Sequence, residues 1–358
     1  VIVGIASGDR ISPSKATDGK NHWGGAGWVR LGQYQNRLSE HGFETYTGAL
    51  VWNRDHFSID ITDDKQYYVD VDVVYIQRLM HQGLADHIYK ARATGQIVVN
   101  DLDDWYWGLD PSNHAFMSSH PKSNPTENIN HYKSVLNASD VVTVSTQYLA
   151  DRIKNFVRCP IEVIPNTVDV GRFTPLEHSD TTTPIVGWVG STSHRSNDLE
   201  QLRGIIKPLY DNGDIRLQHS GYHDGNALVS DAWLLPEDAV LRIPASDPEL
   251  YPALLTMDVG IAPLRDAPFN HAKSDIKLLE YSAAGIPWIA SNLSAYSKLA
   301  SDWGMGRIAK KPTQWIKHLK ALKNPDTRSA EGSALREAVW QRDIGVGTKQ
   351  LVEFLEHL

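Results

Sequence analysis

The chain reads as an α/β protein of two domains built on parallel sheets, and three observations lead there. Short runs of β-branched residues alternate with segments of helical period, without an internal repeat. That alternation is the pattern of strands joined by crossover helices. At 358 residues the chain exceeds one ordinary domain and suits two of roughly 150 residues each. Between the two stretches of alternation lies Ser179-Asp180-Thr181-Thr182-Thr183-Pro184, whose composition fits an exposed linker.

In the first half the strand candidates are residues 1–6, 44–50, 71–76, 97–100, 141–145 and 162–164, with helix candidates between most of them. After the linker, strands are expected at 185–189, 215–219, 240–243, 259–262 and 288–290. The tail from 313 to 358 is almost wholly helical in period. Breaks at Asn324-Pro325 and near Gly345-Val346-Gly347 divide it into three helices. The last of these carries Leu351, Val352, Phe354 and Leu355, a face that either domain can receive.

Composition narrows the function classes. Hydrophobic residues at 41% and charged residues at 22% belong to a folded globular protein. A formal charge of -8, with no clustered basic patch, argues against nucleic acid as the main partner. The single cysteine, Cys159, cannot make an intrachain disulfide, and no paired metal-ligand spacing occurs. No apolar run approaches the ~20 residues of a membrane span, and the chain opens in a strand-like run without a signal-peptide layout. These readings lead us to expect a cytoplasmic protein with no metal site.

Four constellations can carry chemistry. The first is Gly24-Gly25-Ala26-Gly27, opening a segment in which Trp28, Leu31, Tyr34 and Leu38 recur at helical spacing. Free N–H groups at a helix start suit an anion, although glycines there also serve a tight turn and nothing more. A dinucleotide fingerprint fits worse, because it follows the first strand at once and here 7–23 intervene. The second is Lys273-Ser274-Asp275-Ile276-Lys277-Leu278-Leu279-Glu280. A helix starting near Ser274 sends Ile276, Leu279 and Ala283 to the core and sets Lys273, Lys277 and Glu280 on another face. Two cations and a carboxylate on one groove suit a diphosphate and ribose hydroxyls, with the helix start adding to the positive end. A solvated Lys277–Glu280 pair, with about 0.2–0.5 kcal/mol of stabilisation, is the plainer account.

The third constellation, Gly190-Ser191-Thr192-Ser193-His194-Arg195, is a strand end running into a polar loop, fit for a phosphate or simply for capping the next helix. The fourth is Asn100-Asp101-Leu102-Asp103-Asp104-Trp105-Tyr106-Trp107 at the C-terminal end of a strand, the edge where open α/β sheets bind ligands; clustered carboxylates there also make Mg²⁺ an alternative that ranks low. Acids and aromatics there can meet acceptor hydroxyls and sugar faces, or merely cap a helix. His22 and His114 are lone histidines of the kind that are more often structural than catalytic.

With these residues in view, the chain resembles the large retaining glycosyltransferase family four. Lys277-Leu278-Leu279-Glu280-Tyr281, continuing through Ala283-Ala284-Gly285-Ile286-Pro287, resembles that family's donor segment, and Val163-Ile164-Pro165-Asn166-Thr167-Val168-Asp169 its interdomain segment. Gly24–Gly27 and Ala138-Ser139-Asp140-Val141 match its first-domain landmarks in order and spacing. The resemblance implies the GT-B fold: two Rossmann-like domains facing across a cleft, with C-terminal helices returning toward the N-terminal one. On that plan residues 1–168 with 346–358 form the acceptor domain and 169–345 the donor domain.

The implied chemistry is transfer of a sugar, with retention, from a UDP- or GDP-sugar to an acceptor that the sequence does not specify as glycan, lipid, protein or small molecule. No cofactor or metal is obligatory. Gly25, Ala26, Gly27, Gly190, Ser191, Thr192, Ser274, Asp275, Lys277 and Glu280 fall on the donor side, and Asp101, Asp103 and Asp104 on the acceptor side. Two departures stand out: the family's first donor-segment glutamate falls on Ala272, and its two phosphate cations fall on Ser191 and Ser196. Arg195 and Lys273 are the candidates to replace those cations, Lys273 with a catalytic part. A GT-B sugar-nucleotide epimerase and a non-catalytic nucleotide-sugar-binding module are the rival readings.

Overall fold

A computed structural model describes residues 1–11, 22–52, 55–63, 65–192, 197–221, 228–244 and 251–358. By its contacts the chain forms two compact units: one of 1–107, 116–166 and 344–358, the other of 108–115 and 167–343.

The first unit is built on β1 (Ile2–Ser7), β2 (Glu44–Thr47), β3 (Val73–Gln77), β4 (Ile97–Leu102), β5 (Val141–Val144) and β6 (Ile161–Val163). They form one parallel sheet in the order β6-β5-β4-β3-β1-β2. The near-continuous Val/Ile runs of β3 and β4 follow from burial on both faces. On one face Val3, Ile5, Val73, Tyr75 and Val99 pack against Leu31 and Leu38, and against Leu351 and Leu355 of the helix Ile344–Glu356. The last helix of the chain therefore completes the core of the first unit. The break expected near Gly345-Val346-Gly347 falls at Asp343, and Gly345 and Gly347 lie in the first turn of the last of the three expected helices. Burial of Ile344, Leu351 and Leu355 outweighs the ~1 kcal/mol that a helical glycine costs.

The expected single strand at 44–50 splits at Gly48. Ala49–Val51 turns away to join Ser58–Asp60 and Tyr68–Asp70 in a small antiparallel sheet that the sequence pattern had not disclosed.

The second unit carries β7 (Ile185–Val189), β8 (Arg216–Gly221), β9 (Val240–Pro244), β10 (Val259–Ala262), β11 (Trp288–Ser291) and β12 (Arg307–Ala309). All are parallel, in the order β9-β8-β7-β10-β11-β12. This is the doubly wound order of dinucleotide-binding domains. Alternate residues face opposite cores: Val186, Trp188, Val259 and Ile261 one way, Val189, Ala262, Trp288 and Ala290 the other.

The segment expected as an exposed linker is tied down. Buried Arg328, in the helix Pro325–Ala338, donates to the carbonyls of Ser179 (2.7 Å) and Thr181 (2.8 Å) and to those of Leu322 (2.9 Å) and Lys323 (3.0 Å). That helix begins where the sequence reading placed a break, with Asn324 accepting from the Thr327 N–H and Pro325 at its first position.

Each sheet has one point where the chain reverses its direction of growth: between β1 and β3 in the first unit and between β7 and β10 in the second. Ligands of open α/β sheets sit beyond the carboxyl ends of such strands.

Candidate functional site

In the second unit, Gly190 leaves β7 with φ +147°, and a Cβ there would stand 2.9 Å from the Trp188 ring and 3.1 Å from Lys277 Nζ. Glycine is required on both counts. The turn is fixed by the Gly190 N–H on the Ser220 carbonyl (3.1 Å) and by His219 Nε2 with the Gly190 carbonyl (2.9 Å).

The helix Ile276–Ala283 starts two positions later than expected and buries Leu278, Leu279 and Tyr281. Its first turn brings Lys277 Nζ over the Trp188 ring at 4.7 Å, where it donates to the Val189 carbonyl. Burial pulls the Lys277 ammonium down to about 8, with Glu280 opposing and Lys273 adding to the shift. One turn on, Glu280 accepts from the Tyr251 hydroxyl (3.1 Å), and burial raises its carboxyl to about 7 against the pull of Lys277. Both groups are thus held near the pH at which they change charge.

A third ionisable group was missed by the sequence reading. Asp198 is buried; its Oδ1 accepts from the Arg265 N–H (2.8 Å) and from Asn270 Nδ2 (2.7 Å). Burial lifts its carboxyl to about 6, against the backbone hydrogen bond of Arg265, the side chain of Asn270 and the charges of Lys273 and Arg265. No motif marks it, because its partners lie far along the chain.

Lys273 Nζ stands 4.5 Å over the Phe269 ring. Ser191, Lys273 and Ser274 all have interaction partners. Thr192 is buried, and its Oγ1 has no hydrogen-bond partner among the described residues. Arg195 lies outside the described residues. Asp275 has a different place from the one expected: its carboxylate binds Arg342 through both oxygens (3.0 and 3.1 Å), which commits it to the protein's own cation.

In the first unit, the helix Gly25–Arg30 opens at the β1/β3 switch point. The expected anion is already there as a side chain. Asp9 Oδ2 accepts from the Gly27 N–H (2.8 Å), and the Asp9 carbonyl accepts from the Gly24 N–H (2.6 Å). At Gly25 a Cβ would meet nothing within 4 Å, so no close approach demands glycine there. Ala26 follows in the same first turn.

Arg78, just past β3 and with φ +57°, links this turn to the acidic run. It reaches Asp9 (3.2 Å), Asp103 (2.5 and 3.0 Å) and Asp104 (3.5 Å). Asp103 and Asp104 keep 9% and 18% of their side chains exposed. Asp101 does not line a surface: its side chain is 0% exposed and accepts from Arg30 (2.7 Å), Thr143 (2.8 Å) and Gln77 (3.3 Å). Asp101 lies inside β4, whose residues 98–102 are all buried, and Arg30 meets it there. Among the described residues no group of three or more His, Cys, Asp or Glu is placed to hold a metal ion. No helix among them is long and apolar enough to cross a membrane.

This geometry has well-defined relatives in three dimensions. Sucrose-phosphate synthase from Thermosynechococcus elongatus superposes with TM-score 0.66 at 14% identity, over 99% of this chain and 98% of that one. A glycosyltransferase from Rickettsia africae gives 0.64 at 11% identity, over 99% and 97%. Anabaena HepE, solved in complex with UDP, gives 0.61 at 14% identity over 100% of both. The fold is GT-B.

In sequence the likeness is narrower. TuaH of Bacillus subtilis, assigned as a teichuronic acid biosynthesis glycosyltransferase, is 34% identical over 79 residues, which is 22% of this chain and 20% of that protein. No family model matches the chain.

Proposed function

We propose that this GT-B protein is a glycosyltransferase that takes its sugar from a nucleoside-diphosphate sugar, with retention of anomeric configuration. One observation carries the reading: at the β7/β10 switch point a glycine turn, a part-buried lysine and a carboxylate one helical turn further on stand together, Lys277 and Glu280 both shifted toward neutrality. A diphosphate supplies the negative charge that Lys277 lacks, and ribose hydroxyls supply donors for Glu280. Lys273, Ser274, Ser191 and Thr192 are assigned to the same diphosphate. Arg195 keeps its assignment from the sequence alone. The GT-B relative solved with UDP makes UDP the first nucleotide to try.

In the transfer, the bond from the anomeric carbon to the phosphate oxygen breaks, the acceptor hydroxyl bonds to that carbon from the same face, and its proton goes to the departing phosphate. Fixed cations at the leaving oxygen supply the electrostatic help. For the acceptor we assign the partly buried edge at Asp103 and Asp104, whose carboxylates, already paired with Arg78, can also receive hydroxyl donors. Asp101, Asp275 and the Gly25–Gly27 turn are assigned to supporting that machinery.

Isothermal titration of the full chain with UDP and GDP tests the proposal. Saturable binding of one of them supports it; no affinity for either overturns it. In the binding nucleotide, Lys273→Ala weakens affinity by about tenfold, the worth of one charge-assisted contact.

A further inference from the structure

Arg265 lies just past β10, at the carboxyl end of the strand that borders the switch point of the second unit. Its backbone is clamped on both sides. The N–H donates to buried Asp198 (2.8 Å), and the carbonyl accepts from Asn270 Nδ2 (3.1 Å), which also binds Asp198. The main chain is therefore set by a buried polar pair, while the side chain is 37% exposed.

The guanidinium is poorly used. Among the described residues its Nη2 pairs with Asp110 Oδ2 at 3.0 Å, and its Nε is buried without a hydrogen-bond partner. A guanidinium carries five N–H donors in a fork matched to carboxylate or phosphate oxygens. A single-toothed contact with a 38% exposed carboxylate leaves most of that capacity unspent. Asp110, for its part, does not need the arginine: its Oδ1 accepts from the Ser112 N–H (2.9 Å) and hydroxyl (2.6 Å). The segment 108–115 that carries it packs with the second unit. Arg265 and Lys273 both act on the charge of Asp198, and Asp198 and Lys273 act on Lys277, so the three cations share one electrostatic neighbourhood.

We propose that Arg265 is a further diphosphate-binding residue of this pocket, and that Asp110 is an internal carboxylate which holds it until the donor's phosphate takes its place. The proposal rests on the nucleotide-sugar reading of the same pocket. A diphosphate offers several oxygens where Asp110 offers one, so the exchange satisfies the buried Nε and returns an exposed, turn-stabilised carboxylate to water.

Calorimetric titration of the full-length wild type, Arg265→Ala, Arg265→Lys and Asp110→Asn with UDP and GDP, and with uridine and guanosine, tests it. For the diphosphate that the wild type binds, Arg265→Ala is expected to weaken affinity by about tenfold or more, with Arg265→Lys in between and the bare nucleoside unaffected. Asp110→Asn is expected to bind that diphosphate about threefold more tightly, because the competing charge is gone. Unchanged diphosphate affinity in Arg265→Ala, or an equal loss for the nucleoside, overturns the assignment of Arg265. No gain in Asp110→Asn overturns the exchange. A wild type that binds neither diphosphate removes the donor-pocket reading itself, which is a separate result.

Discussion

The two units present the same kind of edge, a loop-to-helix start beyond the carboxyl end of a parallel sheet, yet they treat charge in opposite ways. In the first, the helix start is capped by Asp9, Arg78 is surrounded by Asp9, Asp103 and Asp104, and Arg30 is locked to Asp101. In the second, Lys277 rests on a ring and a backbone carbonyl, and Glu280 on a tyrosine hydroxyl. A buried ion with full partners keeps its charge, whereas one with dipoles for company is moved toward neutrality. The contrast separates a turn that has supplied its own counter-ions from one whose Lys277 and Glu280 rest on dipoles.

Four predictions break or sharpen that contrast. The largest effect falls on the self-sufficient side. Arg30→Ala strands Asp101 as a buried, unpaired carboxylate and should cost about 3–5 kcal/mol of stability in urea unfolding. A loss under 1 kcal/mol would mean that the first unit does not depend on its internal pairing.

Next comes Lys277→Ala, which should weaken nucleoside diphosphate binding by about 30-fold, roughly 2 kcal/mol, without lowering the melting temperature. The charge it removes is one that burial already penalises. A fall in melting temperature with affinity retained would reverse the roles we give the two units.

A smaller effect is the pH profile of that binding. Lys277 must be protonated to meet a phosphate and Glu280 ionised to accept from a hydroxyl, so affinity should peak between about 7 and about 8 and fall on either side. A profile flat from pH 6 to pH 9 would count against both assignments, on the bell shape two such groups must give.

The smallest is a stability shift in Glu280→Gln. The folded-state pKa of Glu280 lies above its ordinary value of 4.5, at about 7. Between those values the folded state holds the extra proton, so stability attached to this group is present at low pH and lost as pH rises through about 7. Replacement by glutamine removes that loss, and the variant should gain in melting temperature over wild type at pH 8 more than at pH 5, where the folded wild-type group is still neutral. Equal differences at the two pH values would argue that Glu280 is not held in a desolvated place.

What the sequence disclosed follows from how local each signal is. Residues 185–189 and 259–262 were read with their observed bounds, because uninterrupted apolar runs with flanking turn residues need no distant partner to be seen. The shared face of Lys277 and Glu280 was legible too: they are one helical turn apart, and their facing follows from helical period alone. Asp198, Arg265 and Arg78 were illegible for the opposite reason. Each becomes significant through residues brought to it by the fold, Asn270 to Asp198 or Asp103 to Arg78, and no spacing encodes those meetings. Asp101 and Asp103 show the finer limit. They are two apart in one acidic run, but the first lies inside β4 and pairs with buried Arg30, while the second lies past the end of the strand and pairs with Arg78. Asp9 was hidden in the same manner, since a capping carboxylate 18 positions upstream of Gly27 looks like any loop acid.

The helix Ile344–Glu356 has a consequence for how the protein comes into being. Ile344, Leu351 and Leu355 fill the core beneath β1, β3 and β4, although they are made only after residue 343. The unit made of 167–343 with 108–115 has all its residues in hand before the N-terminal one does, reversing the usual order in which domains mature during synthesis. A nascent chain stopped at residue 343 would carry a finished C-terminal lobe beside an N-terminal one with its greasy face open, and chaperone capture of truncated chains should concentrate there.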